Sequence, residues 1–322
     1  MITRVHYPRH VRCVVIDDIE KVAEKSADWG DLDVEFVCEH LSPGELVQRL
    51  IGAEILVVMR ERTPIDRAMI AQLPALRLIV TTGARNASID LDACNDYGVR
   101  VASAAAPSLA AAQLTWALLL AAARGLPTAV EAVRQGGWWL QSPGIDLEGR
   151  RLGLIGLGYI GTAVARYGTA FGMDVVAWSP NLTHERCQES GARLVDLPEL
   201  MSTSDFVSVH LVASPSTYGV VGSKELNMMR PASWLINTSR ASLVNSSALV
   251  ETLRNGRIAG AAIDVFDVEP PETHDPLRSL PNVIATPHIG YVTDRQLEAW
   301  YAQASRQITD FRQGLPLSRP LN

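Results

Sequence analysis

The segment Gly156-Leu157-Gly158-Tyr159-Ile160-Gly161 is the strongest indication of the architecture, because it stands between a strand-like and a helix-like segment. The strand-like residues 151–155 precede it, and Ile160, Val164 and Phe171 follow at helical intervals. A glycine turn lets the backbone approach a pyrophosphate, and the first turn of the following helix offers N–H groups to it. The context favours a dinucleotide-binding βαβ unit, with a tight turn that binds nothing as the alternative.

The segment at 174–177 lies where such a unit has its second strand, and the residues at the end of that strand meet the adenine ribose. The chain continues there with Trp178-Ser179-Pro180-Asn181, without a carboxylate that would repel the extra phosphate of NADP. No adjacent cation would bind that phosphate either, since the nearest is Arg186. The sequence therefore predicts NAD as cofactor and leaves NADP open. The cofactor-binding candidates from this unit are Gly156, Gly158, Tyr159, Ile160, Gly161, Ser179 and Asn181.

Strand-like and helix-like segments alternate along the whole chain, which is typical of parallel α/β sheets. The first series has strands predicted near 13–16, 34–37, 55–59, 78–81 and 99–102, with helices near 21–28, 43–51 and 66–73. The second series follows a helix predicted at 109–124 and has strands near 151–155, 174–177, 206–210, 233–236, 260–265 and 283–285.

These two series predict two doubly wound parallel-sheet domains. An amphipathic helix at 293–312 has no place in the second series, so we expect it to dock on the first. The fold class is therefore α/β, with a Rossmann-type cofactor domain at 103–289 inserted into a flavodoxin-like substrate domain. The substrate-binding domain comprises residues 1–102 and 290–322.

Composition limits the partners of the chain. Its 322 residues fit about two domains, and an apolar share of 47% fits globular cores. A net charge of −6 without basic blocks argues against a nucleic-acid partner, and the apolar stretch at 109–123 is too short for a membrane span. Four scattered cysteines suggest neither a metal site nor disulfides, and the first residues lack a signal peptide core, so we expect a cytoplasmic protein.

Four ordered motifs resemble those of the D-isomer-specific 2-hydroxyacid dehydrogenase family, and the likeness covers nearly the whole chain. They are the glycine loop, Ile236-Asn237-Thr238-Ser239-Arg240, Ala262-Ile263-Asp264-Val265-Phe266-Asp267-Val268-Glu269-Pro270, and Thr286-Pro287-His288-Ile289-Gly290. The resemblance implies hydride transfer between NAD(P)(H) and a small D-2-hydroxy acid or its 2-keto partner. It also implies an active site in a cleft between the domains, with hinges near Ala102–Ala105 and Ile289-Gly290.

By this resemblance Arg240, Glu269 and His288 form the catalytic set. An imidazole suits general acid/base work near neutral pH, a carboxylate beside it fixes its tautomer, and a guanidinium binds a substrate carboxylate with a fork of donors. The alternatives are a turn histidine, a solvated loop glutamate and a surface arginine. Each residue follows a strand-like segment, however, and the carboxyl edge of an open α/β sheet is where ligands bind.

The resemblance extends to further positions on both domains. Asp264 would hold the nicotinamide carboxamide, although an aspartate after a strand also caps turns, and Arg60 is equally a substrate contact or a solvated arginine. The additional cofactor candidates are His210, Val212, Thr238, Asp264 and Gly290. The substrate-binding candidates are Arg60, Ala84, Arg85, Arg240 and His288, of which Ala84 and Arg85 belong to the loop 82–86 expected to bind the substrate carboxylate.

Departures from the family pattern concern the surroundings of the site. Ala241 replaces a usual glycine, Gln113 a usual glutamate, and Tyr291 an often smaller residue. Tyr291, Trp138 and Trp139 either shape the pocket or belong to the core or to a dimer contact. We expect the family's homodimer, with the 109–124 helix and the two tryptophans at its interface.

Two other functions remain open on the sequence. The fold also serves a corepressor that senses dinucleotides, and intact Arg240, Glu269 and His288 do not exclude such a role. A 3-phosphoglycerate dehydrogenase is the second alternative, although neither a long C-terminal extension nor a clear phosphate-binding cluster is recognised.

Overall fold

The computed structural model describes residues 11–139 and 143–322, which form two compact units. The first unit holds 11–108 and 292–322, and the second holds 109–291. The predicted boundary at 102 is wrong by several residues, because the last strand of the first unit continues to Ala104. The first ten residues, used above to argue against a signal peptide, lie outside the described part of the chain.

The first unit contains one parallel sheet of five strands in the order β2-β1-β3-β4-β5, the flavodoxin-like order. Its strands are β1 (Arg12–Val15), β2 (Asp33–Phe36), β3 (Ile55–Val58), β4 (Leu78–Thr82) and β5 (Arg100–Ala104). Its helices in the part of the chain that precedes the second unit are α1 (Ala23–Ser26), α2 (Pro43–Leu50), α3 (Arg67–Ile70) and α4 (Leu91–Asp96). Strands β3 and β4 are buried along their whole length, as expected for central strands covered on both faces.

The second unit contains a parallel sheet of seven strands in the order β12-β11-β10-β9-β6-β7-β8. Its strands are β6 (Arg151–Ile155), β7 (Asp174–Trp178), β8 (Arg193–Leu194), β9 (Phe206–Val209), β10 (Trp234–Asn237), β11 (Gly260–Ile263) and β12 (Val283–Ala285). Its helices are α5 (Ala110–Arg124), α6 (Leu126–Arg134), α7 (Tyr159–Ala170), α8 (His184–Glu189), α9 (Leu197–Thr203), α10 (Ser223–Met228), α11 (Ser246–Arg254) and α12 (Pro276–Ser279), with a 3-10 turn at Ala241–Leu243.

This strand order is the six-stranded Rossmann order with one further strand, β12, added at one end. The chain winds outward from β6 to β8, returns, and winds outward again from β9 to β12. The two directions part between β6 and β9, and such a switch point opens a crevice at the carboxyl ends of the strands. The predicted pair of doubly wound parallel sheets is confirmed.

The final helix α13 (Asp294–Arg312) returns to the first unit and packs on β4, β5 and α1. The buried side of this helix comprises Leu297, Trp300, Tyr301, Ala304, Ile308 and Phe311. They form the apolar side of the amphipathic helix predicted at 293–312. Gln307 lies fully buried beside them and donates from Nε2 to the carbonyl of Ser103 at 3.1 Å, which satisfies its amide.

Helix α6 was not predicted, and it changes the interpretation of the two tryptophans. None of its residues is buried, and Leu126, Val130 and Val133 are each about half exposed. Trp138 and Trp139 follow it with 74% and 86% of their surface exposed. A role for these two tryptophans in the core is therefore wrong.

All four cysteines are free thiols, and Cys13, Cys94 and Cys187 are buried. Burial raises the pKa of Cys94 to about 11, so this thiol stays protonated. Across the described residues, no single helix has the length and apolar character needed to cross a membrane, although the bent pair α5 and α6 passes that test jointly.

Candidate active site

The carboxyl edge of the second sheet brings the predicted residues into one row. The strand register sets Ile155 beside both Trp178 and Val209, and Asn237 beside both Val209 and Ile263. Ile263 in turn pairs with Ala285. The residues that directly follow the strands are, in spatial order, Ser179, Gly156, His210, Thr238, Asp264 and Thr286. Five of these six are sequence candidates.

The three glycines of the loop have distinct roles. A Cβ on Gly156, whose φ is +105°, would lie 2.7 Å from the carbonyl carbon of His210, and a Cβ on Gly161 would lie 2.2 Å from the carbonyl oxygen of Gly156. These two positions therefore need glycine for close packing. Gly158 has nothing within 4 Å of such an atom, so the loop leaves open space at the start of α7.

This geometry fits a bound dinucleotide. Helix α7 begins after Gly158 without a side-chain cap, so its first N–H groups have no such partner. Its first residue, Tyr159, is exposed, and Ile160 is half-buried. An anionic pyrophosphate beside the open space at Gly158 would be stabilised by those N–H groups and by the helix dipole.

The turn after β7 lies beside the glycine loop. The backbone N–H of Gly156 donates to the carbonyl of Trp178 at 2.8 Å, which holds this turn against the glycine loop. Ser179 is half-buried and Asn181 is exposed. Both side chains are uncharged, so the turn supplies no carboxylate near the glycine loop.

His210 closes the other side of the loop. Its backbone N–H donates to the carbonyl of Ile155 at 2.7 Å, and its Nε2 shares a hydrogen bond with the Ser208 hydroxyl at 2.9 Å. Desolvation of the ring lowers the pKa of His210 to about 4, so the imidazole is neutral near pH 7. Val212, two residues on, is 78% exposed, and its carbonyl accepts from the Thr217 hydroxyl.

Asn237 clamps the turn that presents Arg240. Its Oδ1 accepts from the backbone N–H of Ser239 at 3.1 Å, and its Nδ2 donates to the carbonyl of Arg240 at 3.0 Å. Within the same turn Thr238 is buried, and its hydroxyl lies 2.6 Å from that of Thr115 on α5. The short turn is thus fixed on both sides by buried polar side chains.

Asp264 organises the turn that carries His288. The carboxylate is fully buried and accepts from the Thr286 hydroxyl at 2.6 Å and from the backbone N–H groups of Ile289 and Gly290 at 2.9 and 2.8 Å. Burial raises the pKa of Asp264, and these hydrogen bonds oppose that rise. Asp264 thus caps this turn, which is the alternative role that the sequence left open. Its contact with the nicotinamide carboxamide stays a prediction.

His288 and Glu269 form a direct pair. The imidazole Nδ1 lies 2.5 Å from Glu269 Oε2, and Glu269 Oε1 accepts from the backbone N–H of Phe266 at 2.9 Å. Burial alone would raise the pKa of Glu269, but its hydrogen bond with His288 and the neighbouring charges outweigh it and lower the pKa. The carboxylate is therefore ionised near pH 7, and the proton between the two groups belongs on Nδ1.

Arg240 belongs to the same cluster. Its charge is among the causes that lower the pKa of Glu269, so the guanidinium lies within electrostatic range of the carboxylate. Its Nη1 donates to the carbonyl of Ser239 at 2.7 Å, which orients the fork. The structure thus brings the three predicted catalytic residues together in the second unit.

The backbone of His288 is strained. Its φ of +53° lies in the left-handed region, and its N–H donates to the carbonyl of Thr286 at 3.0 Å. A non-glycine residue in that region costs about 1–2 kcal/mol and is frequent at functional sites. The Tyr291 ring meets the imidazole edge to face, with 5.7 Å between centroids.

The first unit holds the remaining candidates. Arg60 also has a left-handed φ of +52°, and a Cβ on Gly83 would collide with its guanidinium, so the arginine packs against the 82–86 loop. Its guanidinium carbon lies 5.7 Å from the ring centroid of Trp300, and its Nε lies 3.3 Å from Glu61. Ala84 and Arg85 are exposed at the tip of that loop.

Sequence reasoning missed the residues that hold this network together. Thr286 was quoted in a motif without a role, and Asn237 likewise. Thr115 is a polar residue in an otherwise apolar stretch of the chain. The available signal was a small polar residue directly after or beneath a strand end, where buried polar groups need partners.

Comparison with known proteins agrees with this geometry. Residues 116–290 match the model of the NAD-binding domain of D-isomer specific 2-hydroxyacid dehydrogenases, which is more than half of the chain. The chain belongs to the D-isomer specific 2-hydroxyacid dehydrogenase family, as the motifs predicted.

Individual relatives carry several activities. The chain is 34% identical over 308 residues to a D-3-phosphoglycerate dehydrogenase of Methanocaldococcus jannaschii, covering 94% of this chain and 58% of that one. It is 34% identical over 282 residues to a glyoxylate reductase of Thermococcus litoralis, covering 84% of each. The crystal structure of a phosphoglycerate oxidoreductase from Vibrio cholerae O395 superimposes with a TM-score of 0.89 at 35% identity, over 94% of this chain and 99% of that one.

Proposed function

We propose that the chain is an NAD(H)-dependent oxidoreductase that interconverts a D-2-hydroxy acid and its 2-keto acid. The observation that carries the proposal is the 2.5 Å contact between His288 Nδ1 and Glu269 Oε2, at the same sheet edge as the open glycine loop. Membership of the dehydrogenase family supports the cofactor and the reaction type.

In the proposed mechanism the glycine loop would hold a nicotinamide dinucleotide, which when bound would supply or accept the hydride. Glu269 keeps the Nδ1 proton of His288 in place, so Nε2 is the atom that exchanges a proton with the substrate oxygen. In the reductive direction Nε2–H donates to the carbonyl oxygen, and in the oxidative direction neutral Nε2 accepts the hydroxyl proton. Arg240 binds the substrate carboxylate with two parallel donors, which orients the carbonyl carbon.

We assign Arg60 and the 82–86 loop to the substrate on the resemblance, and the ion pairs of Arg60 and of its neighbour Arg62 favour one class of substrate. Arg60 is paired with Glu61 at 3.3 Å, and Arg62 is paired with Glu20 through contacts of 2.6 and 3.0 Å. Because each of these cations already has a carboxylate partner, a second anionic group on the substrate would compete with an internal ion pair. We therefore favour a 2-keto acid whose remaining part is uncharged over a phosphorylated one.

The testing experiment follows NADH absorbance after addition of glyoxylate, pyruvate, hydroxypyruvate or longer 2-keto acids. Hydroxypyruvate and 3-phosphohydroxypyruvate form a matched pair that differs by one phosphate. We expect NADH oxidation with at least one 2-keto acid whose remaining part is uncharged, and a D-configured product where the product is chiral. The kcat/KM for hydroxypyruvate should exceed that for its phosphate. Preference for the phosphorylated acid would instead support a 3-phosphoglycerate dehydrogenase.

The same experiment separates the enzyme from a dinucleotide sensor. Tight NADH binding without oxidation by any acid, and with no difference between the wild type and His288→Ala, would support the corepressor-like alternative. The His288→Ala variant also controls for contaminating dehydrogenases, because a contaminant would leave its activity unchanged.

We also propose a cytosolic homodimer. The free thiols favour a reducing compartment. Helix α6 and the segment after it expose large apolar residues of the kind that protein contacts cover, namely Leu126, Val130, Val133, Trp138 and Trp139. The interface assigned here differs from the sequence-based one, because eight residues of α5 are buried within the second unit and α6 is exposed instead. Sedimentation of the wild type and of a Trp138→Ser/Trp139→Ser variant tests it, with dissociation of the variant expected.

A further inference from the structure

The segment after β7, where the adenine ribose of a dinucleotide would lie, contains an arginine to which no motif gives a role. Arg186 lies on α8, and its Nη2 donates to the carbonyl of Leu157 at 3.2 Å. Leu157 stands between the first two glycines of the loop. The guanidinium therefore bridges from the segment after β7 to the glycine loop, although it is seven positions beyond Ser179 in the chain.

Local structure explains how Arg186 reaches this position. Thr183 caps α8, and its hydroxyl accepts from the backbone N–H of Arg186 at 3.4 Å. At the far end of this short helix the Ser190 hydroxyl lies 3.4 Å from that of Thr162 on α7. Helix α8 is thus set against α7, and its first turn directs Arg186 toward the start of the glycine loop.

The electrostatics around this position suit an anion. In many dinucleotide-binding folds a carboxylate at the end of the second strand binds the ribose 2′-hydroxyl and repels a 2′-phosphate. Here that place holds Ser179 and the exposed Asn181, both of which can donate hydrogen bonds. The nearby carboxylate of Glu185 is engaged with the Thr183 hydroxyl and its own backbone N–H, at the start of α8.

We propose that Arg186, with Ser179 and Asn181, binds a phosphate on the 2′-hydroxyl of the adenine ribose, so that this unit accepts NADPH as well as NADH. A guanidinium has five donors, and the contact with Leu157 uses one nitrogen, so the exposed face of Arg186 can bind phosphate oxygens. The inference rests on the proposed function only for the identity of the cofactor, since it concerns binding and not hydride transfer.

Calorimetry with adenosine 2′,5′-bisphosphate and adenosine 5′-monophosphate tests the proposal without any turnover. We expect the wild type to bind the bisphosphate more tightly, and Arg186→Gln to weaken it by about 10-fold or more while leaving the monophosphate unchanged, since one charge-assisted contact is lost. Ser179→Asp should weaken the bisphosphate selectively as well. The control is Arg193→Gln, which removes another exposed arginine, one that pairs with Glu199.

Equal binding of the two nucleotides by the wild type, or an Arg186→Gln effect shared by both, would overturn the proposal. An Arg193→Gln effect as large as that of Arg186→Gln would overturn it too, because the loss would then be a general charge effect. Failure of the proposed reaction is distinguishable, since it would appear as absent NADH oxidation with nucleotide binding intact. Binding of neither nucleotide would overturn both the inference and the proposed cofactor.

Discussion

The two ends of one sheet edge in the second unit are built differently. At β10–β12, side chains hold each other: the buried Asp264 accepts three hydrogen bonds, and the partly exposed Glu269 accepts one from His288 and one from Phe266. At β6–β7, the loop is shaped by glycine backbone, and the neighbouring Ser179 and Asn181 are partly or fully exposed.

The difference between the two ends matches the different demands of proton transfer and of cofactor binding. A proton-transferring group must be held within a few tenths of an ångström, and a fully hydrogen-bonded network does that. A dinucleotide is bound by backbone donors and open space, so the β6–β7 end needs little side-chain support. Substitutions at the two ends should therefore fail in different ways, which the following variants examine.

The largest expected effect is that of His288→Ala at the β12 end. We expect kcat to fall by about two to four orders of magnitude, because the general acid/base is removed. The dissociation constant for NADH should remain unchanged, since the glycine loop is untouched. Steady-state kinetics and fluorescence titration measure the two quantities, and a retained kcat would remove His288 from the mechanism.

Arg240→Lys should act mainly on substrate binding. A lysine keeps the charge but cannot give two parallel donors to a carboxylate, so we expect the KM for the keto acid to rise by about 10- to 100-fold. The KM for NADH serves as the internal control. An equal rise in both constants would mean that Arg240 supports the whole edge and does not bind substrate.

At the β6 end, Gly161→Ala and Gly158→Ala form a matched pair. The added Cβ at Gly161 would meet the Gly156 carbonyl oxygen at 2.2 Å, so we expect a loss of about 1–3 kcal/mol in unfolding free energy. The added Cβ at Gly158 meets nothing within 4 Å, so stability should be kept while NADH binding weakens. Chemical denaturation and NADH titration check both, and unchanged NADH binding by Gly158→Ala would show that the open space is not a ligand site.

The smallest effect concerns His210 and pH. Its folded pKa of about 4 lies below the ordinary value of 6.5, so between these values the unfolded chain binds a proton that the folded chain does not. Stability should therefore fall as pH drops from about 7 to about 5, by at most about 2 kcal/mol from this residue. His210→Asn should flatten that part of the curve, and an unchanged slope in urea denaturation would contradict the assignment.

The sequence predicted the sheets well because their signal is local. Short, mostly apolar runs mark β6 and β12 to the residue, and the glycine loop follows from a turn that only glycine permits. The two-residue strand β8 and the exposed helix α6 carry too little pattern to be recognised. Local signals were therefore sufficient to predict the two kinds of parallel sheet and the row of candidate residues that follow the strands.

Through-space contacts could not be predicted in the same way. The Thr286–Asp264, Asn237–Arg240 and Arg186–Leu157 contacts join residues whose partners depend on how turns fold. The exposure of Trp138 and Trp139 likewise contradicts what their size suggests. Sequence therefore predicted the candidate reactive side chains, whereas the groups that position them required the structure.

The kcat of the Glu269→Gln/His288→Ala double variant tests most directly whether the 2.5 Å pair acts as one unit. Glu269→Gln alone should lower kcat, because the glutamine no longer stabilises the charged imidazole. If Glu269 acts only through His288, the double variant will have the kcat of His288→Ala alone. A double variant slowed by the product of the two single effects would contradict the account, because the carboxylate would then act independently of the imidazole.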